Sequence, residues 1–367
     1  MESLVTVEPI GEALKRTEGA VTRILLTGSE GYIGSVLGHR LISNGYQVVG
    51  ADTGYYRAGW LYNDAKDRPA LLSRDVRTLT VADLEGFDAV VHLAELSNDP
   101  LCAQDPDLTF TINHKASVAL ARNAKAAGVK RFVYASSCSV YGAGAGDDAV
   151  DEGAPTNPQT PYAKCKVLVE EEVSKLADAG FCPTFLRNAT AFGASPAMRF
   201  DIVLNNLSGL AWTTGRIAMI SDGSPWRPLV HVQDICGAIV ATLRAPRSAV
   251  AGEIFNVGSD AQNYRIREIA EAVGEAFPGC EITFGRNDGD NRSYRVSFAK
   301  ITRGLPGFRC AWDVRRGAFQ LHDLFEYIGL TEQGFKAPPH TRLEQLKLLT
   351  TTRQLDSSLR WRTHDFS

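Results

Sequence analysis

The chain has 367 residues, more than one compact core usually holds, and at roughly 150 residues per domain about two domains are expected. Lys+Arg 39 against Asp+Glu 42 leaves a formal charge of -3, so there is no basic excess to make nucleic acid or an anionic membrane the default partner, and 44% apolar with 22% charged residues excludes bulk disorder. No apolar stretch approaches the roughly 18 residues of a membrane helix, charges fill the first twenty positions, and seven scattered cysteines without a Cys-x-x-Cys pair speak against disulfides or zinc; the expectation is a cytoplasmic protein with no bound metal.

Residues 1–21 read as a polar lead-in. Arg23–Thr27 is a short, branched apolar run suited to a buried strand. Gly28-Ser29-Glu30-Gly31-Tyr32-Ile33-Gly34 follows, then a helical pattern with Ile33, Leu37 and Leu41 on one face, stopped by Asn44-Gly45. Further strands are predicted at Gln47–Asp52, 87–93 and 130–135, and helices over 107–128 and 161–179, each ending near a glycine (Gly128, Gly180). The chain should re-enter the sheet at 185–187. Strands alternating with helices mean crossover units and a parallel sheet. Beyond residue 190 the alternation breaks down, and only a strand at 253–257 and a helix over 265–277 stand out. The expected division is an N-terminal domain over 22–187 with later returns near 230–258, a smaller α/β domain over 188–330, and a helical extension over 331–367. Leu343, Leu346, Leu349 and Leu355 mark that extension as an amphipathic helix packed on the surface.

The three glycines stand between a strand and a helix, where backbone must approach a pyrophosphate closely and the helix N-terminus offers unpaired N–H groups to the anion. Gly28 is assigned the turn, Gly31 the close approach and Gly34 the helix packing; Tyr32 and Ile33, at the helix start, are further candidates for cofactor contact. Asp52 ends the second strand, where a carboxylate accepts hydrogen bonds from the adenosine ribose and repels a 2′-phosphate, so NAD is expected over NADP. Arg57 is the counter-indication, since a guanidinium there could pair with that phosphate.

Tyr162 and Lys166 lie four apart at the start of a helix, hence on one face. A nearby ammonium, with the positive nicotinamide of NAD⁺, favours phenolate and would pull a tyrosine from about 10 toward neutrality, making Tyr162 a general base. The run Ala135-Ser136-Ser137-Cys138-Ser139-Val140-Tyr141-Gly142 sits at the carboxyl end of a predicted parallel strand, where ligands of such sheets bind.

Thr27 to Gly34, Asp52, Ser137, and Tyr162 with Lys166 together resemble the extended short-chain dehydrogenase/reductase family, in its nucleotide-sugar epimerase and dehydratase branch, over roughly residues 22–330. Asp75-Val76 is similar to the family's adenine contact, His92-Leu93-Ala94 follows the fourth strand, Asn113 stands in its helix, and Arg227 to Asp234 is similar to its R-x-x-x-H-V-x-D run. The resemblance implies an α/β fold, a Rossmann-type doubly wound parallel sheet with a smaller C-terminal α/β substrate-binding domain, holding NAD and acting on a nucleotide sugar. It also implies a homodimer through the helices 107–128 and 161–179, with Ala116, Val118, Ala119, Ala124 and Ala127 permitting close approach. In such enzymes Ser137 would bond the sugar hydroxyl, Tyr162 remove its proton, and Lys166 hold the nicotinamide ribose while hydride passes to NAD⁺.

Dehydratases of this branch carry an Asp-Glu pair after the catalytic serine or threonine, and uronate decarboxylases a Glu at the second place; here Cys138 and Ser139 stand there. Epimerisation, at C4 through a transient 4-ketose with hydride returned from the same NADH, is therefore the expected activity. The alternative is a dehydratase or decarboxylase working through Glu95 or Cys138, or a 4-ketosugar reductase. A non-catalytic NAD sensor or RNA-binding relative is disfavoured because Ser137, Tyr162 and Lys166 are all retained. Glu95 replaces a usually small residue and either meets a sugar hydroxyl, serves as a second acid/base group, or is salt-bridged; Cys138 is either acid/base or packed. Ser139, Asn188 and Thr190 are substrate-binding candidates, and Arg227 with Arg292 or Arg295 are candidates for the diphosphate. His231 reads as structural.

Overall fold

The protein is described by a computed structural model covering residues 21–63, 67–142, 148–286 and 293–362. The lead-in up to residue 20, Arg292 and the last five residues of the extension lie outside the described residues.

Seven parallel strands form the main sheet: β1 (Arg23–Thr27), β2 (Gln47–Asp52), β3 (Ala70–Ser73), β4 (Ala89–His92), β5 (Arg131–Ser137), β6 (Cys182–Asn188) and β7 (Ile254–Val257). Their spatial order is β3-β2-β1-β4-β5-β6-β7. The chain turns back at the β1/β4 boundary, the switch point at which a doubly wound sheet opens a crevice beyond its carboxyl ends. Alternation along β1 serves both faces: Ile24 and Leu26 join one apolar cluster, Leu25 the other.

Helix α1 (Tyr32–Ser43) packs on the first face and is closed by Asn44 and by Gly45, whose φ of 85° suits glycine. Helices α2 (Ala116–Ala126) and α3 (Pro161–Ser174) cover the second face. Helix α4 (Val232–Arg244) returns to the side of α1, where Arg40 donates to the Gln233 carbonyl at 2.7 Å. Among the later elements, α5 (Ile266–Ala276) and α6 (Val314–Ile328) flank a three-stranded sheet of Thr190–Phe192, Trp226–His231 and Asn263–Arg265. Finally α7 (Arg342–Thr351) leads to an isolated bridge between Leu355 and Trp361.

Three features depart from expectation. The helix predicted over 107–128 is interrupted: one turn, Pro106–Thr109, passes into a π-helical turn, Phe110–Lys115, before α2 begins. Edge strand β3 and helix α6 are absent from the sequence expectation, the first because Ala-Leu-Leu-Ser is too short to show a period. The extension does not lie on a bare surface: Leu346, Leu349, Leu355 and Leu359 share an apolar cluster with Leu101 and with Tyr55, Leu96 and Ile112, residues of the crevice wall. Among the described residues no helix is long and apolar enough to cross a membrane.

Candidate active site

A cleft of about 920 Å³ runs over the carboxyl ends of β1, β2, β4, β5 and β6. Its floor begins at the glycine turn. Gly28 adopts a φ of 72°, and a Cβ there would stand 2.9 Å from the Ala94 nitrogen. At Gly34 a Cβ would fall 2.0 Å from the Gly28 carbonyl oxygen, so only glycine lets α1 start against the turn. Gly31, Tyr32 and Ile33 line the cleft, but the Tyr32 hydroxyl turns into the core and donates to the Gly193 carbonyl at 2.6 Å.

Asp52 lines the same cleft and is fixed by two backbone donors, Glu30 N–H at 3.0 Å and Gly54 N–H at 2.8 Å. Arg57, the counter-indication to NAD in the sequence, pairs with Glu30 at 3.3 Å. Asp75 caps a short turn and is held by Arg77; it, Val76, Leu93 and Ala94 all border the cleft. Next to them His92 is buried between Thr27 Oγ1 (2.7 Å) and Ser117 Oγ (2.8 Å), and burial lowers its pKa to about 3, so it is a neutral strut.

At the other end Thr160 caps α3, accepting from the Ala163 N–H, and Pro161 occupies the first turn, where a missing N–H costs nothing. One helical turn brings Tyr162 and Lys166 onto the cleft, with the ammonium 5.3 Å from the Tyr162 ring centroid. Lys166 also meets the Ala135 carbonyl and forms a buried ion pair with Glu95 at 2.7 Å, while the Tyr134 hydroxyl donates to the other Glu95 oxygen at 2.6 Å. Burial pushes the Tyr162 phenol above its usual value; Lys166 pulls it down and Glu95 pushes it up again. The phenol is therefore raised and not lowered as the spacing suggested, because burial outweighs the pull of Lys166 and Glu95 adds to the rise.

Ser137 lies at the cleft end of β5, its Oγ accepting from the Ser139 N–H at 3.1 Å. Ser139 Oγ and Asn188 Oδ1 are buried cleft atoms with no hydrogen-bond partner, groups that a bound polyol can satisfy. Thr190 and Arg227 line the cleft as well, Arg227 near Tyr294.

Residues 24–258 match the NAD dependent epimerase/dehydratase family. The chain belongs to this family. Its cofactor is NAD, and the glycine cradle with an acceptor-only Asp52 at its rim fits that dinucleotide. A UDP-glucose 4-epimerase of Mycolicibacterium smegmatis is 31% identical over 69% of this chain and 82% of its own. One from Bacillus subtilis is 26% identical over 86% of this chain and 99% of its own. Among solved structures, a UDP-glucose 4-epimerase from Stenotrophomonas maltophila with bound NAD and formylated UDP-arabinopyranose superposes with a TM-score of 0.71 at 25% identity, covering 84% of this chain and 99% of that one.

Within this epimerase/dehydratase chain, several sequence expectations are corrected. Asn113 is fully buried and clasps residue 96, accepting from the Leu96 N–H and donating to the Leu96 carbonyl, both at 2.8 Å, so it shapes the cleft wall without lining it. The π-helical turn rotates it inward. Cys138 is 1% exposed, its thiol directed at the Arg187 carbonyl (3.2 Å) and its pKa raised by burial; it is a packed residue and not a substrate contact. Arg295 stacks over the Trp226 ring at 5.0 Å and is not among the residues lining the cleft. His231, by contrast, is the structural residue expected: it stacks on Trp312 at 4.1 Å and meets Gln320 at 2.8 Å. No local pattern in the sequence points to Asn98, Arg199 and Asp201, which converge from two loops: Arg199 pairs with Asp201 at 2.8 Å, and Asn98 donates to the same carboxylate at 2.7 Å. Nor does one point to Thr341, Arg342 and Leu343 of the extension, which also line the cleft.

Proposed function

We propose that the protein is an NAD-dependent nucleotide-sugar epimerase that inverts C4 of a UDP-hexose or a close analogue. The observation that carries this reading is one cleft lined by Ser137, Tyr162 and Lys166 at one end and the glycine turn with Asp52 at the other, while Cys138, at the place of the first dehydratase acid, is sealed in the core. Bound NAD supplies the hydride acceptor and later the donor. Tyr162 takes the proton of the sugar hydroxyl, Ser137 holds that oxygen, and Lys166 favours the phenolate. Ser139, Asn188 and Thr190 meet the sugar, Arg227 the diphosphate, and residues 188–330 make the substrate-binding part. Elimination or decarboxylation needs an uncommitted acid or base beside the ketose, and Glu95 is engaged by both Lys166 and Tyr134. The proposal extends to a homodimer in a reducing cytoplasm, where free cysteines persist.

Purified protein without added cofactor is expected to interconvert UDP-glucose and UDP-galactose, and in D2O to leave the ring carbons free of deuterium. Tyr162→Phe is expected to keep NAD bound and lower kcat by at least about a hundredfold. A product lighter by water or carbon dioxide, or deuterium at C3 or C5, overturns epimerisation; a fully active Phe variant removes Tyr162 from the mechanism.

A further inference from the structure

The C-terminal extension is tied to the dinucleotide end of the cleft at several points. Gln345 donates to the Tyr55 carbonyl at 2.9 Å, the Tyr55 hydroxyl donates to the Leu359 carbonyl, and Arg77 donates to the Ser358 carbonyl at 2.7 Å. Trp361 Nε1 donates to the Thr53 carbonyl at 2.7 Å, one residue beyond Asp52. The same Arg77 holds Asp75, so the extension is linked to both carboxylates expected at the adenosine half.

From the start of α7, Arg342 enters the cleft wall. It is 3% exposed, its guanidinium lies 3.8 Å over the Tyr56 ring, and its Nη1 has no hydrogen-bond partner. Its charged neighbours are Arg199, Asp201 and Asp52. Asp201 is already engaged by Arg199 and Asn98, and Asp52 by two backbone N–H groups. Arg342 thus faces Arg199 and two carboxylates whose oxygens are already engaged, and its buried Nη1 is left without an acceptor, which is costly unless a ligand oxygen joins it. Burial, reinforced by Arg199, accordingly lowers the Arg342 pKa to about 10.

We propose that the extension is a wall of the dinucleotide site and that Arg342 binds the diphosphate of NAD from the side opposite the glycine turn. Placement favours the dinucleotide over the nucleotide sugar: Tyr56, on which Arg342 stacks, lies on the loop leaving Asp52, and Trp60 on that loop donates to the Glu30 carbonyl of the glycine turn at 3.2 Å. Arg342 supplies a fork of N–H donors, and a charge-assisted bond to a phosphate oxygen is among the stronger ones available. The inference rests on NAD as the cofactor and is independent of which carbon of the sugar reacts.

Full-length protein stripped of NAD, as wild type, R342Q, and R342M, which keeps an apolar stem on Tyr56, is titrated calorimetrically with NAD, ADP, adenosine and UDP. The expected result is that both variants bind NAD and ADP about 10- to 100-fold more weakly, the range of a lost hydrogen bond to a charged group, while adenosine and UDP are unchanged. Adenosine weakened as much as ADP would reduce Arg342 to a packing residue, and weakened UDP with intact ADP would move the contact to the substrate's diphosphate; either result overturns the proposal, as does unchanged ADP binding. Failure of the epimerase reading would leave these titrations as they are, whereas failure of the Arg342 contact would leave sugar turnover chemistry intact.

Discussion

Around Tyr162, one glutamate alters what the tyrosine–lysine pair can do. A lysine facing a tyrosine in a buried site lowers the phenol pKa, but Glu95 returns a negative charge to the same pocket and holds Lys166 at 2.7 Å. The charged groups facing Tyr162 are Lys166 and Arg199, which favour phenolate, and Glu95 and Asp99, which oppose it. Glu95 itself is pushed above its ordinary value by burial, against the pull of Lys166 and Tyr134. Replacing its carboxylate by a carboxamide removes a negative charge while keeping an acceptor for Lys166, so phenolate becomes easier to form and the working pKa of Tyr162 falls. The acid limb of kcat/KM against pH is therefore expected to move to lower pH in Glu95→Gln, by about one unit. A limb that stays in place or moves upward would show that Glu95 does not act on Tyr162 through charge.

Elements act here by presenting short stretches at their ends. The turn between β1 and α1 works because two backbone segments come closer than any side chain permits: a Cβ at Gly34 would lie 2.0 Å from the Gly28 oxygen, and both neighbours are main chain that cannot swing aside. Gly34→Ala is expected to destabilise the protein by about 1–3 kcal/mol, the usual cost of overpacking, and to be purified with little NAD. Thermal unfolding together with the NAD released on denaturation checks both; an alanine variant with wild-type melting and full cofactor would mean that the turn relaxes freely. The π-helical turn Phe110–Lys115 is a second case, since it directs Asn113 onto the backbone of residue 96 and so fixes the loop that carries Glu95. Insertions of this kind recur near functional sites because they re-aim one side chain without ending the helix.

At the scale of the whole molecule, the residues first invoked for close approach between two copies are used inside one. Ala116, Val118 and Ala124 are buried against the sheet, and of the five only Ala119 is exposed, with Ala127 half-buried. What α2 and its preceding turn share with α3 on the outer side is polar: His114 meets Glu172 at 2.7 Å and Arg122 meets the same carboxylate at 3.2 Å. A twofold interface there would pack medium-sized and charged side chains and not a small-residue seam. Isologous dimers remain the commonest oligomer, and light scattering at micromolar concentration is expected to give twice the 39.9 kDa chain mass. A mass of one chain would reject the dimer.

Local signals were strong wherever backbone chemistry is dictated by a few adjacent residues. Strand, glycine turn and helix over 23–43, the carboxylate closing β2, the Tyr162/Lys166 spacing and the Ser137 loop could all be read from the chain, because a tight turn, a helix face and the end of a buried strand each leave a pattern within ten residues. Tertiary structure decided whatever depends on partners far apart in sequence. The sequence presents Glu95 as a lone acid, and only folding places it against Lys166, 71 positions later; Cys138 becomes inert because β6 and the Arg187 carbonyl close over it; Arg57 is claimed by Glu30. The extension illustrates the same physics on a larger scale. Its leucines announce an amphipathic helix, but a hydrophobic stripe specifies only that something apolar must cover it, and the surface that does so, around Tyr55, Leu96 and Ile112, exists only once the sheet has assembled and opened its crevice.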